Sequence, residues 1–409
     1  MNLLQDLPNA QKRAIDLVIE IAAEKDCHPF LVGGPVRDIL LGRQAGDIDL
    51  TLETGGSTLA RALAKRVEGR VRSFPQFLTY KVTSSSYPEI DIATARKERY
   101  RTPGALPAVT AGRLKDDLLR RDFSINAIAL DLLSGAMHDP ARGEQDLEDR
   151  VVRVLHDRSF VDDPTRIFRA TRLAARLGFT IEPHTAELMR GAVGAGALAT
   201  ISKERIWREL FLAMDEPEAP AIVASLSALG ALDVLFGRRT AADLQPRLEA
   251  IREQLAGNPE LDRHVLFTGA LLRGDASPVD FEGSGFSQKR ARAVVEIAND
   301  VPRLEEALVA AAGERDRFRI YRSISPEMLT VIASELPVET PHIQRYRDFE
   351  KFKLPLKGND LEVPGGPHVA RALELTREAV FAGEIGLEEA RSYAKRVVRE
   401  LLHVKSAES

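Results

Sequence analysis

From residue 113 onward the chain reads as one helical segment after another, whereas residues 28–112 carry short apolar runs broken by glycine and proline. That change of period predicts an α+β fold, a small mixed-sheet head followed by an all-α remainder. In the head, helices are expected over 9–26, from Val36 to a stop at Gly42, and over 57–68. Strands are expected at 30–32, in DIDLTLE (47–53), and at 70–74, 77–84 and 88–95, with a loop after Arg99. The helices expected beyond are 114–132, 162–177, 184–194, 202–213, 218–230, 246–256, 288–298, 302–312, 326–334, 342–351, 367–382 and 387–402.

Composition narrows the class. Of 409 residues, 44% are hydrophobic and 29% charged, which excludes collagen, a disordered tail protein and a disulfide scaffold. The net charge of −4 excludes a basic coat over the whole surface, though not a local basic groove. Cys27 is the single cysteine and has no partner in the chain for a disulfide, as suits a reducing cytoplasm. No apolar run reaches the roughly 18 residues a membrane span requires. The opening residues read as an amphipathic helix, so neither a signal peptide nor a membrane partner is expected.

Asp47 and Asp49 stand two apart in GDIDL, so on a strand both carboxylates point to one face while Ile48 and Leu50 enter the core. Two close carboxylates repel unless a cation lies between them, and Mg²⁺ is the hard, oxygen-seeking candidate. Asp91 in EIDIATAR supplies a third acid from a neighbouring strand. Alone, such a pair is equally the content of a solvated strand face. Upstream, GGPVRD joins a strand end to a helix start. Gly33 and Gly34 let a ligand approach the backbone, and Arg37 adds a charge-assisted bond to phosphate. Phosphate donors followed closely by metal-binding acids suit a nucleoside triphosphate.

The second constellation is DDPTRIFRATRLAARLGF (162–179). Asp163 caps a helix that begins at Pro164, and Arg166, Arg169, Arg172 and Arg176 fall on one face. No acid is interleaved with them, which an ordinary solvated face would have. An acceptor at Asp163 one turn from the donors of Arg166 matches the amino-plus-ring-nitrogen edge of cytosine or adenine. It mismatches uracil and guanine, and leaving buried polar groups unpaired is worth up to ~10⁴-fold in discrimination. Between the constellations, in LLRRDFSINAIALD, Asp122 or Asn126 offers a ribose contact and Arg121 a phosphate contact. An Arg–Asp ion pair with a capping Asn explains the same residues equally well.

FLVGGPVRDILLG, GDIDLTLE, RRDFSINAIALD, DDPTRIFRATRLAARLGF and SKERIWREL occur in this order. On these motifs the chain resembles the class II tRNA nucleotidyltransferases, the CCA-adding enzymes, with their bacterial poly(A) polymerase relatives. The resemblance is dense over residues 28–213, and LKGNDLEVPGGPHVARALELTREAVFAGEI is similar to the family's tail. It implies a seahorse shape with a nucleotidyltransferase head (1–142), a base-reading neck (143–215), a helical body (216–335) and a tRNA-binding tail (336–409). It also implies Asp47 and Asp49 as Mg²⁺ ligands, and Gly34 and Arg37 on the triphosphate. Arg121, Asp163, Arg166, Arg169 and Arg172 would line the nucleotide site, and Asp122 would select ribose.

The implied reaction adds CMP, AMP or both, from CTP and ATP, to the 3′ end of a tRNA gripped by its acceptor arm. One residue and one segment depart from or qualify the pattern. The family's EDxxR is DDPTR here, with Asp162 for Glu, so Asp162 would orient Arg166 less directly. In CCA-adding members a flexible loop before the RRDF motif switches the enzyme from C to A. The corresponding KERYRTPGALPAVTAG resembles A-only members at least as well, which keeps A-only addition open beside poly(A) polymerase and a non-catalytic RNA-binding module. No late His-Asp pair exists, so no HD phosphohydrolase domain is expected. Arg345, Arg347, Lys351, Lys353 and Lys357 form either a phosphate-binding patch or a solvated face, and Trp207 reads as core.

Overall fold

The three-residue run Phe30–Val32 is apolar on both faces, so it is stable only with strands on either side and layers above and below. In the computed structural model of the chain it lies near the middle of a seven-stranded sheet. Residues 4, 7–44, 46–237 and 243–407 are described, with side chains to 403.

The head opens with α1 (Asn9–Glu24), β1 (Phe30–Val32), α2 (Gly34–Leu40), β2 (Ile48–Leu52), α3 (Gly56–Arg66), β3 (Arg70–Phe74), β4 (Thr79–Thr83) and β5 (Ile90–Thr94). It continues with β6 (Arg96–Arg99), β7 (Ala108–Ala111), α4 (Leu114–Leu119), β8 (Ala129–Asp131) and β9 (Met137–His138). The strand order is β3-β4-β5-β2-β1-β8-β9, and β2 runs parallel to β5 with Asp49 opposite Asp91. Ile48, Leu50, Ile90 and Ile92 are buried, as are Leu59 and Leu63 of α3, which packs on β4 and β5. The alternate residues Asp49, Thr51, Lys81 and Asp91 therefore share the opposite face.

Three expectations fail for identifiable reasons. Residues 114–132 are not one helix: α4 stops at Leu119, Ser124–Asn126 form a 3₁₀ turn, and Ala129–Asp131 become β8. The open edge of β1 takes Ala129–Asp131 as an antiparallel partner, and that tertiary demand overrides the local helical spacing. The stretch after Arg99 is not wholly loop, because Ala108–Ala111 pair with Arg96–Arg99 as a hairpin. The helices expected at 288–298 and 302–312 are one, Gln288–Val309, running through Pro302. A proline leaves the carbonyl four residues earlier without its helical donor. Here that carbonyl, on Ala298, accepts the Gly274 N–H at 2.7 Å.

The chain divides into two compact units, residues 1–239 and 240–409. The second is helical and includes Arg263–Leu271 and Glu314–Arg322, which periodicity did not single out. Its basic stretch is no uniform patch. Arg345 donates to the Phe381 carbonyl at 2.6 Å and lies over that ring, while Arg347 donates to Thr330 Oγ1 at 2.7 Å. Trp207, in the first unit, is buried against Phe211 and Phe236. Among the described residues no helix is long and apolar enough to cross a membrane.

Candidate active site

β1 ends in a turn that only glycine makes without strain. Gly33 has φ +75°, and a Cβ there would lie 2.6 Å from Arg121 Nη1. Its absence lets the Arg121 guanidinium cross the turn, where Asp117 Oδ2 accepts its Nη2–H at 3.1 Å. The Gly33 N–H is already given to the Ile128 carbonyl at 3.2 Å. That N–H is thus engaged within the turn, and Gly33 borders the cavity beside Gly34, Arg37 and Arg121. Arg37 is buried and donates to Asn126 Oδ1 at 2.6 Å and to Asp38 at 2.9 Å.

Asp47 and Asp49 line one cavity of about 660 Å³ with Gly33, Gly34, Arg37 and Arg121. Burial pushes the Asp49 carboxyl up; Arg121 opposes that rise and Asp91 and Asp47 add to it, leaving it at about 6. Asp91, beside Asp49 on β5, does not line this cavity. Lys81 Nζ holds it at 3.0 Å and also bonds Glu89. Asp47 and Asp49, without Asp91, are therefore the expected acids that face this cavity. Among the described residues no cluster of three or more His, Cys, Asp or Glu forms a self-sufficient metal site. Two carboxylates facing a cavity with room for a nucleoside triphosphate do fit Mg²⁺, which keeps its other positions for water and phosphate oxygens. Burial, with Asp91 and Asp47 close by, makes Asp49 hard to ionise, and a bound cation would relieve both.

At the far side of the cavity α5 (Gly143–Glu148), β10 (Val151–Val152) and α6 (Ser159–Asp162) lead into α7 (Thr165–Leu177). Ile167, Phe168, Leu173 and Leu177 bury one face of α7, which fixes where its arginines point. Asp163 Oδ1 accepts the Thr165 N–H at 3.2 Å and its hydroxyl at 2.7 Å, the expected capping role. The same oxygen accepts Arg205 Nη2–H at 2.8 Å. Arg166 is buried and donates to Ser159 Oγ at 2.6 Å and to the Arg120 carbonyl at 3.0 Å. Neither of these partners is Asp162, which instead pairs with Arg158 at 3.0 Å.

The arginine stripe is not left without acids, contrary to what its sequence suggested. Arg169 pairs with Asp122 at 2.5 Å, Arg172 with Glu209 and Glu216 at 3.3 and 3.5 Å, and Arg176 with Glu216 at 3.9 Å. The acids come from other elements, so local sequence could not show them. Asp122 is the most committed of them. Its Oδ2 accepts two N–H groups of Arg169, and its Oδ1 accepts the Phe123 N–H at 2.9 Å and Asn126 Nδ2–H at 3.0 Å. The ion-pair reading of this segment is what the bonds show, in one chain Arg169–Asp122–Asn126–Arg37 that runs along the cavity wall.

Burial alone would raise the Asp122 carboxyl; Arg169, Asn126 and Arg166 outweigh it and hold it at about 2, against 3.8 ordinarily. A lowered carboxylate pKa stabilises the fold above the unfolded value, and that contribution is lost as pH falls through the folded one. Asp122 is therefore expected to give up about 2 kcal/mol on going from pH ~4 to pH ~2. An Asp122→Asn variant should be less stable than the parent at neutral pH, with the gap closing across this window in urea unfolding. A gap independent of pH would refute the pairing.

Of the residues expected from sequence, all but Asp91 line the one cavity. Ser159, Glu209, Glu216 and Arg205 were missed as supports, although Arg205 and Glu209 both lay in the motif SKERIWREL. Arg205 also donates to the Gly104 carbonyl at 2.8 Å, and the Gly104 N–H donates to Asp162 at 3.3 Å. Gly104 has φ +71°, and a Cβ there would meet Thr200. The loop between β6 and β7 is thereby pinned beside Asp163.

Residues 29–153 match the family described as the Poly A polymerase head domain. Residues 178–243 match a probable RNA and SrmB-binding site of polymerase A. An A-adding tRNA nucleotidyltransferase of Geobacter sulfurreducens is 32% identical over 393 residues, covering 89% of this chain and 44% of that protein. Another, of Halalkalibacterium halodurans, is 36% identical over 258 residues, 62% of this chain and 60% of that one. The chain spans about half the length of these curated relatives. A solved CCA-adding enzyme in an apo form aligns over 98% of this chain and 97% of its own, with a TM-score of 0.84 at 24% identity, which shows the α+β fold.

Proposed function

Because the chain belongs to the family of CCA-adding enzymes and bacterial poly(A) polymerases, we propose that it transfers a nucleotide from ATP or CTP to the 3′ end of a tRNA. The observation that supports this most is the single cavity shared by the acid pair, the Gly33-Gly34 turn and the Asp163–Arg166 edge. Residues 1–142 would carry the transfer chemistry and 143–215 the base reading, leaving 216–335 and 336–409 to hold the RNA. The 3′-hydroxyl oxygen bonds to the α-phosphorus as the bond to the pyrophosphate oxygen breaks, the hydroxyl proton is released, and pyrophosphate leaves.

Asp47 and Asp49 would hold Mg²⁺, which when bound lowers the pKa of the attacking hydroxyl and offsets phosphate charge. Arg37 and Arg121 orient the triphosphate by charge-assisted bonds. Asp163 and Arg166 select the base: acceptor and donor are fixed by their own partners before the nucleotide arrives, so a mismatched base finds unpaired groups. No nucleic-acid template is required.

A second reading, addition of the terminal A alone, has a specific observation in its favour. The loop between β6 and β7 is tied down at Gly104 by Arg205 and Asp162, which suits one fixed base preference better than a switch between two. Labelled ATP and CTP supplied separately and together to tRNA ending at position 73, 74 or 75 test both. A-only addition predicts one AMP on the substrate ending at 75 and no CMP on any. Growth of a long homopolymer on other RNA would make the protein a poly(A) polymerase, and no incorporation with any divalent ion would refute the proposal.

A further inference from the structure

A second cavity, of about 320 Å³, opens on the same sheet face and shares only Asp49 and Arg121 with the first. We propose that it seats the 3′-terminal nucleoside of the acceptor RNA, with Phe74 as base platform and Thr51 as a sugar contact; this rests on the nucleotide-transfer reading above.

The sheet register builds the seat. One cross-strand row runs Arg72–Lys81–Asp91–Asp49 over β3, β4, β5 and β2. The next row on the same face runs Phe74–Thr79–Ala93–Thr51. The first row is charged throughout. The second is neutral and small except at Phe74, so it forms a trough about 14 Å long, three strand spacings, that ends in an aromatic ring. Phe74 is half-buried and carries Arg72 over its ring at 4.9 Å, an arrangement that a nucleobase can share.

Two polar atoms at the inner end lack partners. Thr51 is fully buried and its hydroxyl makes no hydrogen bond; Arg121 Nε is likewise buried without one. A buried hydroxyl left unpaired costs stability, and one that lines a cavity of ligand size points to a ligand that satisfies it. The position of Asp49 settles which ligand. It faces the triphosphate cavity on one side and this trough on the other, so a sugar lying here has its 3′-hydroxyl beside the carboxylate that borders the α-phosphate.

The test uses the full chain with Phe74→Ala and Thr51→Val. Each is expected to raise KM for tRNA about tenfold, the effect of one lost stacking or hydrogen-bonding contact, with KM for ATP unchanged. A minihelix with its last nucleotide should bind the parent protein more tightly than one without it, and both variants should lose that preference. Thr51→Val should in addition raise the melting temperature, because it removes an unpaired buried hydroxyl; a purely structural threonine would not combine greater stability with weaker RNA binding. If the parent transfers nucleotide and the variants keep both KM for tRNA and the minihelix preference, the seat is refuted. A rise in KM for ATP instead would assign the trough to the nucleotide and also refute it. A parent protein that transfers nothing overturns the nucleotide-transfer reading itself.

Discussion

An Asp49→Asn variant is expected to lose nucleotide transfer by about 10³-fold or more while retaining RNA affinity and melting within a few degrees of the parent. The substitution keeps the shape of the side chain and removes its charge. Asp47 alone, exposed just before β2, then faces the cavity. Asp91 is the nearest substitute by register, but Lys81 at 3.0 Å already neutralises it, and it opens on the trough rather than on the triphosphate cavity. A metal's stabilisation of charge at a reacting phosphate is worth several kcal/mol, and 1.36 kcal/mol is a factor of ten in rate. The fold has little reason to suffer, since Asp49 is hard to ionise where it stands and its core neighbours Ile48 and Leu50 are untouched. Incorporation of labelled AMP, filter binding of tRNA and thermal melting check the three parts. Full turnover would mean that the acid pair is not the seat of the ion.

What the sequence showed was whatever a short window contains. Period two put Asp47 and Asp49 on one face, period 3.6 put four arginines on one face, and Gly33-Gly34 marked a turn where a ligand can approach the backbone. What it hid was which distant residue answers each of them. The register that sets Asp91 beside Asp49 depends on β2 and β5 lying parallel, a fact of the whole sheet. Within its own segment Asp122 or Asn126 offers a ribose contact; the segment does not show that Asp122 is also the counter-charge of Arg169 on a distant helix. Glu209 and Glu216 do the same for Arg172 from a third. The secondary-structure misses have the same origin. Ala129–Asp131 became a strand because β1 had an edge to fill, and Pro302 stayed inside a helix because Gly274 was near enough to bond the carbonyl it released.

On the proposed base-reading role of Asp163, an Arg205→Ala variant is expected to reduce kcat/KM for ATP by about 10²-fold and the preference for ATP over GTP by a similar factor. Asp163 Oδ1 receives three donors, the Thr165 N–H, the Thr165 hydroxyl and Arg205, which directs Oδ2 as the acceptor left for a base amino group. Thr165 alone fixes one oxygen but lets the carboxylate rock about it. Arg205, held at its other end by the Gly104 carbonyl, stops that motion. An acceptor displaced by about 1 Å costs on the order of 10²-fold in rate, and a site that no longer insists on an amino group loses the unpaired-group penalty that rejects guanine. Arg205→Lys keeps the charge but cannot reach Asp163 and Gly104 together with one ammonium, so it should fall between parent and alanine variant. The ratio of kcat/KM for ATP to that for GTP is the decisive measurement, because mere loosening of the fold lowers both values and leaves their ratio unchanged. A folded Arg205→Ala protein with parental discrimination would show that Asp163 is held well enough by Thr165 alone.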